Sequence, residues 1–191
     1  ARRSFSSFTL HGRGPRQVAV SMDQHGSNSF TIGIHVADIT YFLHPNTALD
    51  REARRRGASV HLVQESFELL PPDLLRIAAL HVNSDALAKA VVFTFQSDRV
   101  VDIWIGRSIV HVKHMTSYAE LDRVLLGVTT SFPVAPDTLR AVLDYAQPLR
   151  LERLARGGLR GQLTWLEFDL DDKKRPTNVH CCTDAESLSH V

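Results

Sequence analysis

The chain has 191 residues, of which 43% are hydrophobic and 23% are charged, and its formal net charge at pH 7 is +1. This composition is typical of a folded globular domain and argues against a disordered chain. The near-neutral balance offers no case for nucleic-acid binding through overall charge, so any basic surface must be local, and no apolar run reaches the ~18 residues that a membrane span needs.

The first third of the chain is predicted to form strands followed by a short helix. Alternating apolar and polar residues predict strands at 8–10, 18–22 and 28–36, with a turn between the second and the third. Asn46 or Thr47 is expected to begin a helix over 48–56, which Gly57 ends. A short strand at 60–63 follows.

The remaining elements alternate between hairpins and helices. A proline-containing loop at 69–72 leads into a short helix, and two runs at 90–95 and 100–112 predict a hairpin. Ser117 with Glu120 forms the pattern of a capping box, and a long helix is predicted from Pro136 to about Arg156. Strands at 163–170 and 177–182 precede a helix that starts near 185. No repeat or linker divides the chain, so we expect one domain over 1–191.

Six motifs occur in a fixed order along the chain. They are the segments GIHVADIT at 33–40, ALDREARRRGASV at 48–60, LLPPDL at 69–74, GRSIV at 106–110, SYAEL at 117–121 and RGGL at 156–159. Together they resemble the ribonuclease II, or RNB, exoribonuclease family nearly from end to end. The resemblance implies an α+β fold, with a twisted, mixed, mainly antiparallel sheet flanked by helices. It covers only about the first half of the RNB domain, so we expect the C-terminal part to be missing from this partial domain.

The resemblance also implies where catalytic residues should lie. Enzymes of this family hold magnesium with four aspartates and degrade single-stranded RNA from its 3′ end, because magnesium prefers hard oxygen ligands. The aspartate positions fall on His11, Gln17, Ala19 and Val20, and residues 9–22 contain no Asp or Glu. We therefore predict no catalytic residue, no metal and no cofactor, with magnesium expected only if the chain is active through another site.

Candidate RNA-binding residues are basic or aromatic side chains within the same motifs. They are Arg51, Arg54, Arg55, Arg56, Tyr118 and His61. The arginines could contact phosphates, or they could form a solvated helix end that complements the helix dipole. The resemblance places Tyr118 in the RNA cavity, with packing as its alternative, and places His61 where the family has a tyrosine. A second basic patch, Arg153, Arg156 and Arg160, has the same alternatives as the first.

Other polar and aromatic residues are expected to be structural. Asp38 and Asp50 are interpreted as helix caps and loop residues rather than as a substitute metal site with Asp23. The histidines at 11, 35 and 61 are interpreted as unrelated rather than as a transition-metal site. Trp104, Trp165, Cys181 and Cys182 are expected in the core of strands, and the lack of a CxxC motif argues against structural zinc.

These features favour a catalytically inactive pseudo-nuclease that acts as an RNA-binding or scaffold subunit of a ribonucleoprotein assembly. The mitochondrial ribosome, or its assembly or RNA-processing complex, is the expected setting. The expected partners are RNA and protein subunits, not a membrane. The alternatives are an active magnesium-dependent 3′–5′ exoribonuclease on single-stranded RNA and a purely structural protein–protein interaction module. The basic, serine-rich residues 1–8 resemble the edge of a transit peptide, with an ordinary linker as the preferred alternative, and the expected location is the mitochondrial matrix or the cytoplasm, with the matrix favoured.

Overall fold

The structure is a computed structural model that describes residues 3–10, 18–26, 29–97, 99–128, 132, 134–159 and 164–183. Its strands are β1 (Arg3–Leu10), β2 (Val18–Gly26), β3 (Ser29–Ala37), β4 (Val60–His61), β5 (Ser66–Phe67), β6 (Asp85–Gln96), β7 (Arg99–Thr116), β8 (Thr164–Leu170) and β9 (Pro176–Thr183). Its helices are α1 (Ala48–Arg56), α2 (Pro72–Ala78), α3 (Tyr118–Leu125) and α4 (Pro136–Ala155), with a 3-10 turn at Ile39–Tyr41. None of the helices in this part of the chain is long and apolar enough to cross a membrane.

The central sheet is a closed barrel in the order β1-β2-β3-β6-β7. β1 pairs with β7 in parallel and closes the barrel, and the other neighbouring pairs are antiparallel. The predicted mixed, mainly antiparallel sheet with flanking helices is therefore confirmed. Closure was not predicted, because it depends on pairing between the two ends of the sheet rather than on local periodicity.

Strand alternation divides the apolar residues into two cores. Inside the barrel, Ala19, Ala88, Val110 and Val112 are buried with Leu80, which follows α2. A second core lies outside the barrel, where α3 and α4 pack on β1 and β2. It contains the residues Phe8, Leu121, Val124, Val134 and Leu139, with the partly buried Val20 and Met22 packed against them. Successive residues of one strand therefore belong to different cores.

Element boundaries follow the prediction where a capping signal exists. α1 occupies the predicted range, and Thr47, not Asn46, is its N-cap, because the Thr47 hydroxyl accepts a hydrogen bond from the Asp50 N–H at 3.3 Å. Strands β1, β2, β6 and β7 are longer than their apolar patterns indicate, and residues 22–26 continue β2 instead of forming a turn. β5 was not predicted, and the helix expected near 185 lies outside the described residues.

The expected caps are only partly correct. Ser117 caps α3 as expected, but the Glu120 carboxylate accepts from the Thr116 hydroxyl at 2.8 Å instead of completing the capping box. Asp38 precedes the 3-10 turn without a side-chain cap, and its carboxylate accepts from the Thr40 hydroxyl at 2.6 Å. Asp50 stabilises the start of α1 by accepting from the Asn46 N–H at 2.8 Å.

The predicted core positions of Trp104 and Cys181 are corrected by the structure. Trp104 is half-buried, with its indole above Gly106, where an added Cβ would lie 2.5 Å from the ring. Cys181 is exposed. Its strand β9 pairs with β8 in a separate two-stranded sheet, and such a hairpin has no second layer of its own to bury the cysteine. The side chains of Trp165 and Cys182 lie outside the described part of the chain.

Candidate nucleic-acid interface

Two of the four positions at which the resemblance predicts family aspartates lie on β2. Ala19 is fully buried inside the barrel, and Val20 packs on the other side of the strand against the α3–α4 core. Neither side chain has a donor atom for a metal, and the two point in opposite directions. His11 and Gln17 lie outside the described residues. Ala19 and Val20 therefore cannot contribute ligands to a magnesium site of the family type.

The described residues also show no substitute metal site. Within the described ranges, no group of three or more His, Cys, Asp or Glu side chains could hold a metal ion. Asp23 is exposed on β2, whereas Asp38 is buried after β3. His35 is fully buried and His61 is exposed on a separate hairpin, so these two histidines do not form a shared site.

His35 instead bridges three strands inside the barrel. Its Nε2 lies 2.8 Å from the Ser21 hydroxyl on β2, and its Nδ1 lies 3.2 Å from the Ser108 hydroxyl on β7. β3 and β7 are not neighbours in the sheet, so the second bond crosses the interior. Burial lowers the pKa of His35 from 6.5 to about 4, which keeps the imidazole neutral at pH 7. This arrangement is a structural polar cluster, not an accessible catalytic group.

The predicted arginine cluster lies on α1, and its members are exposed. Three of them are held by acidic residues of the same helix: Arg54 pairs with Asp50 at 3.0 Å, and Arg55 and Arg56 pair with Glu52 at 2.8 and 2.9 Å. Hydrogen bonds from both arginines lower the pKa of Glu52 to about 2. Intrahelical pairing thus neutralises part of the positive charge of α1.

The end of α1 is tied to the β4–β5 hairpin that carries His61. The Arg56 guanidinium donates to the Glu68 carbonyl at 2.9 Å, and the Ser59 hydroxyl donates to the Glu68 carboxylate at 2.9 Å. His61 Nδ1 lies 3.0 Å from the Ser66 hydroxyl across the hairpin. The fold therefore places His61 and the arginines on one connected surface unit, residues 48–69.

The other predicted candidates that the structure describes lie on different elements. The backbone of Tyr118 begins α3, but its side chain lies outside the described part of the structure. Arg153 and Arg156 lie near the end of α4, where Arg156 is paired with Glu152. Arg160 is outside the described residues.

A surface cavity adjoins the start of α1 and was not predicted. It has a volume of about 790 Å³ and is lined by Thr40, Tyr41, Leu43, His44, Pro45, Asp50 and Arg107. Asp50 joins the cavity to the arginine cluster through its pair with Arg54. Arg107 lies on β7, far from Asp50 in the sequence, so only the tertiary structure brings the two residues together. Strand alternation in the sequence could have placed Arg107 on the same face of β7 as Ile103 and Ile105, but it could not have placed it beside Asp50.

A closed five-stranded barrel with helices packed against β1 and β2 is a fold found in nucleases of known structure. The RNB domain family model matches residues 4–191, and the chain belongs to that family. DIS3-like exonuclease 2 of Schizosaccharomyces pombe is 30% identical over 187 residues, which cover 89% of this chain and 20% of that protein.

Two solved structures share the fold. Mycoplasma genitalium RNase R in complex with ribose methylated single-stranded RNA matches 99% of this chain and 30% of its own, with a TM-score of 0.75 and 15% identity. Yeast Ssd1, a pseudonuclease, matches 81% of this chain and 20% of its own, with a TM-score of 0.67 and 24% identity. The chain spans about a fifth of the length of the Schizosaccharomyces pombe relative. Its relatives thus include exonucleases and a pseudonuclease, and the fold alone does not assign activity.

Proposed function

We propose that this chain is a catalytically inactive RNB-like pseudo-nuclease that binds single-stranded RNA as a subunit of a ribonucleoprotein assembly. One observation supports the loss of catalysis: Ala19 and Val20, where the resemblance predicts family aspartates, are apolar and pack into two apolar cores. Restoring a carboxylate at Ala19 would bury a charge inside the barrel at a high energetic cost. The loss of the aspartates is therefore compatible with the packing around them.

RNA binding is supported by the surface around α1. The exposed arginines of α1 belong to the same surface unit as His61, and Arg107 lines the cavity that adjoins the start of α1. Guanidinium groups bind phosphates through bidentate hydrogen bonds. RNase R, which shares the fold, is described in complex with single-stranded RNA. Without catalytic carboxylates, such a surface would hold RNA without cleaving it.

The assembly and the location are part of the same proposal. We infer a mitochondrial ribosome, its assembly intermediate or an RNA-processing complex as the setting, with protein subunits as further partners. Gradient sedimentation of a mitochondrial lysate checks this, since the endogenous protein should migrate with ribosomal subunits and shift to light fractions after RNase treatment. Migration as a free protein in an untreated lysate would contradict it.

The catalytic part is tested with 5′-labelled single-stranded RNA and stoichiometric full-length protein, in magnesium and then in manganese. We expect intact RNA and a retarded complex, and a family exonuclease run in parallel serves as the positive control. Stepwise shortening from the 3′ end that persists in Asp23→Asn and Asp38→Asn variants would show that the chain is an active nuclease through other residues.

A structural interaction module is the second candidate, and the outer face of the barrel favours it. Ile34 and Val36 on β3 and Ile103 and Ile105 on β7 are between 43% and 74% exposed. An apolar strand face of this kind is typical of a surface that packs against another protein. RNA that stays both intact and unbound in the same assay would favour this function over RNA binding.

A further inference from the structure

Two cations face each other on the outer surface of the barrel. Lys89 on β6 is in register with Arg107 on β7 and with Val36 on β3. Side chains directly opposite in an antiparallel pair have their Cβ atoms about 5 Å apart, and like charges at that spacing repel each other. Both side chains are exposed, and neither forms an ion pair with another described residue. An anion bound between them would relieve this repulsion.

The neighbouring cavity supplies an aromatic surface beside these cations. Arg107 lines the cavity together with Tyr41, and Tyr41 is 54% exposed. The Tyr41 ring packs edge-to-face against Phe42 at a centroid distance of 5.2 Å. Aromatic rings of this kind stack on nucleobases with little sequence preference. The volume of about 790 Å³ is within the range of small-molecule sites.

The one acidic group in the cavity lining is already compensated. The Asp50 carboxylate accepts from the Asn46 N–H at 2.8 Å and from Arg54 at 3.0 Å. These two hydrogen bonds reduce the repulsion between the Asp50 carboxylate and an incoming phosphate. His44, also in the lining, can donate a hydrogen bond without adding negative charge.

We propose that this cavity, which we call the Tyr41–Arg107 cavity, binds one nucleotide of single-stranded RNA. The phosphate lies against Arg107 and Lys89, and the base stacks on Tyr41. This subsite rests on the RNA-binding function proposed above and extends it. From this cavity the RNA could continue along α1 and contact its arginines, because Asp50 lines the cavity and pairs with Arg54 on that helix.

A direct test uses a mononucleotide, so that it does not depend on binding of longer RNA. The ¹⁵N-labelled full-length protein is titrated with 5′-AMP, adenosine and inorganic phosphate, and amide shifts are followed by NMR. We expect saturable shifts at residues 40–45 and at Arg107 with 5′-AMP, and binding at least about tenfold weaker for adenosine and for phosphate. No shift at these residues, or equal binding of phosphate and 5′-AMP, would overturn the nucleotide subsite.

A second test measures the affinity of single-stranded RNA by fluorescence anisotropy. Arg107→Gln should weaken binding about five- to tenfold and lower the slope of log affinity against log salt by about 0.7, since one phosphate contact is lost. Tyr41→Ala should weaken binding at least about fivefold, and Tyr41→Phe, which keeps the ring, should restore it. Lys113→Gln, which removes an equally exposed charge elsewhere on β7, is the matched control and should change affinity less than about twofold.

The two tests separate the subsite from the wider function. If the wild-type protein binds RNA and the cavity variants match Lys113→Gln, the subsite is wrong and RNA binding stands. If the wild-type protein binds no RNA, the proposed function fails, and the 5′-AMP titration alone decides the cavity. Thermal unfolding of each variant separates loss of the binding surface from loss of folding, and rescue by Tyr41→Phe shows that the ring rather than the hydroxyl is required.

Discussion

The polar cluster around His35 inside the barrel is neutral and hydrogen-bonded, whereas the outer surface of the barrel carries cations without an ion pair among the described residues. Inside, His35 is fully buried, neutral at pH 7 and hydrogen-bonded by two serines from other strands. Outside, Lys89 and Arg107 keep their charges in register on the same sheet. Burial favours the neutral, hydrogen-bonded form of His35, whereas exposed cations can remain uncompensated until a ligand arrives. The interior cluster therefore serves stability, and the outer cations are available for binding.

The largest expected effect is loss of stability in acid. Because the pKa of His35 is 6.5 when unfolded and about 4 when folded, the unfolded chain binds the extra proton between these values. Stability should fall as the pH is lowered from about 6.5 to 4, by on the order of 3 kcal/mol from this residue. Urea unfolding at several pH values measures the free energy.

Carboxylates titrate in part of the same window, so a variant isolates the histidine. His35→Gln keeps a hydrogen-bonding side chain without a titrating group and should flatten the pH dependence between 6.5 and 4. An unchanged slope in this variant would show that other groups cause the loss.

The next effect concerns the space that the interior cluster occupies. An added Cβ at Gly33 would lie 2.4 Å from the Ser21 hydroxyl and 2.6 Å from His35 Nε2. Gly33→Ala must displace the hydrogen bond between Ser21 and His35 and should destabilise the protein by about 2 kcal/mol. Gly26→Ala on β2, where no atom lies within 4 Å, is the control and should stay within about 0.5 kcal/mol. Equal denaturation midpoints for both variants would mean that the interior is loosely packed.

Outside the barrel, single hydrogen bonds such as helix caps should contribute less to the free energy of unfolding than the interior cluster does. The Thr47 hydroxyl accepts a hydrogen bond from the Asp50 N–H at the start of α1. Thr47→Ala should cost about 1 kcal/mol and reduce RNA affinity, because the helix presents the arginines. Thr47→Ser keeps the hydroxyl and should behave like the wild type in urea unfolding. A Thr47→Ala variant of full stability would show that helix packing, not the cap, holds α1.

The smallest expected effect has the opposite sign. Glu52 holds Arg55 and Arg56 in ion pairs. Glu52→Gln frees both guanidinium groups and raises the charge of α1, so RNA affinity should rise about two- to threefold at low salt and less at high salt. Glu65→Gln, on the loop between β4 and β5, removes the same charge without this ion pair and serves as the control. Equal gains for both variants would point to a general charge effect rather than to α1.

Motif order and local patterns were sufficient for much of this structure. The six motifs predicted the family, which the family match confirms over residues 4–191. The Thr47–Gly57 signals predicted α1 because caps act over one helical turn. Cys181, by contrast, is exposed on the separate β8–β9 hairpin, although its apolar strand suggested a core position.

By itself, the sequence determined the family, the course of the strands and the absence of carboxylates from residues 9–22, because residue identity and short-range periodicity are local properties. Only the tertiary structure decided that the sheet closes, that Ala19 and Val20 enter different cores, and that His35 reaches Ser108 across 73 positions. It also decided that Lys89 faces Arg107 beside Tyr41. These contacts depend on strand register and barrel closure, which are set by packing of the whole domain rather than by any one segment.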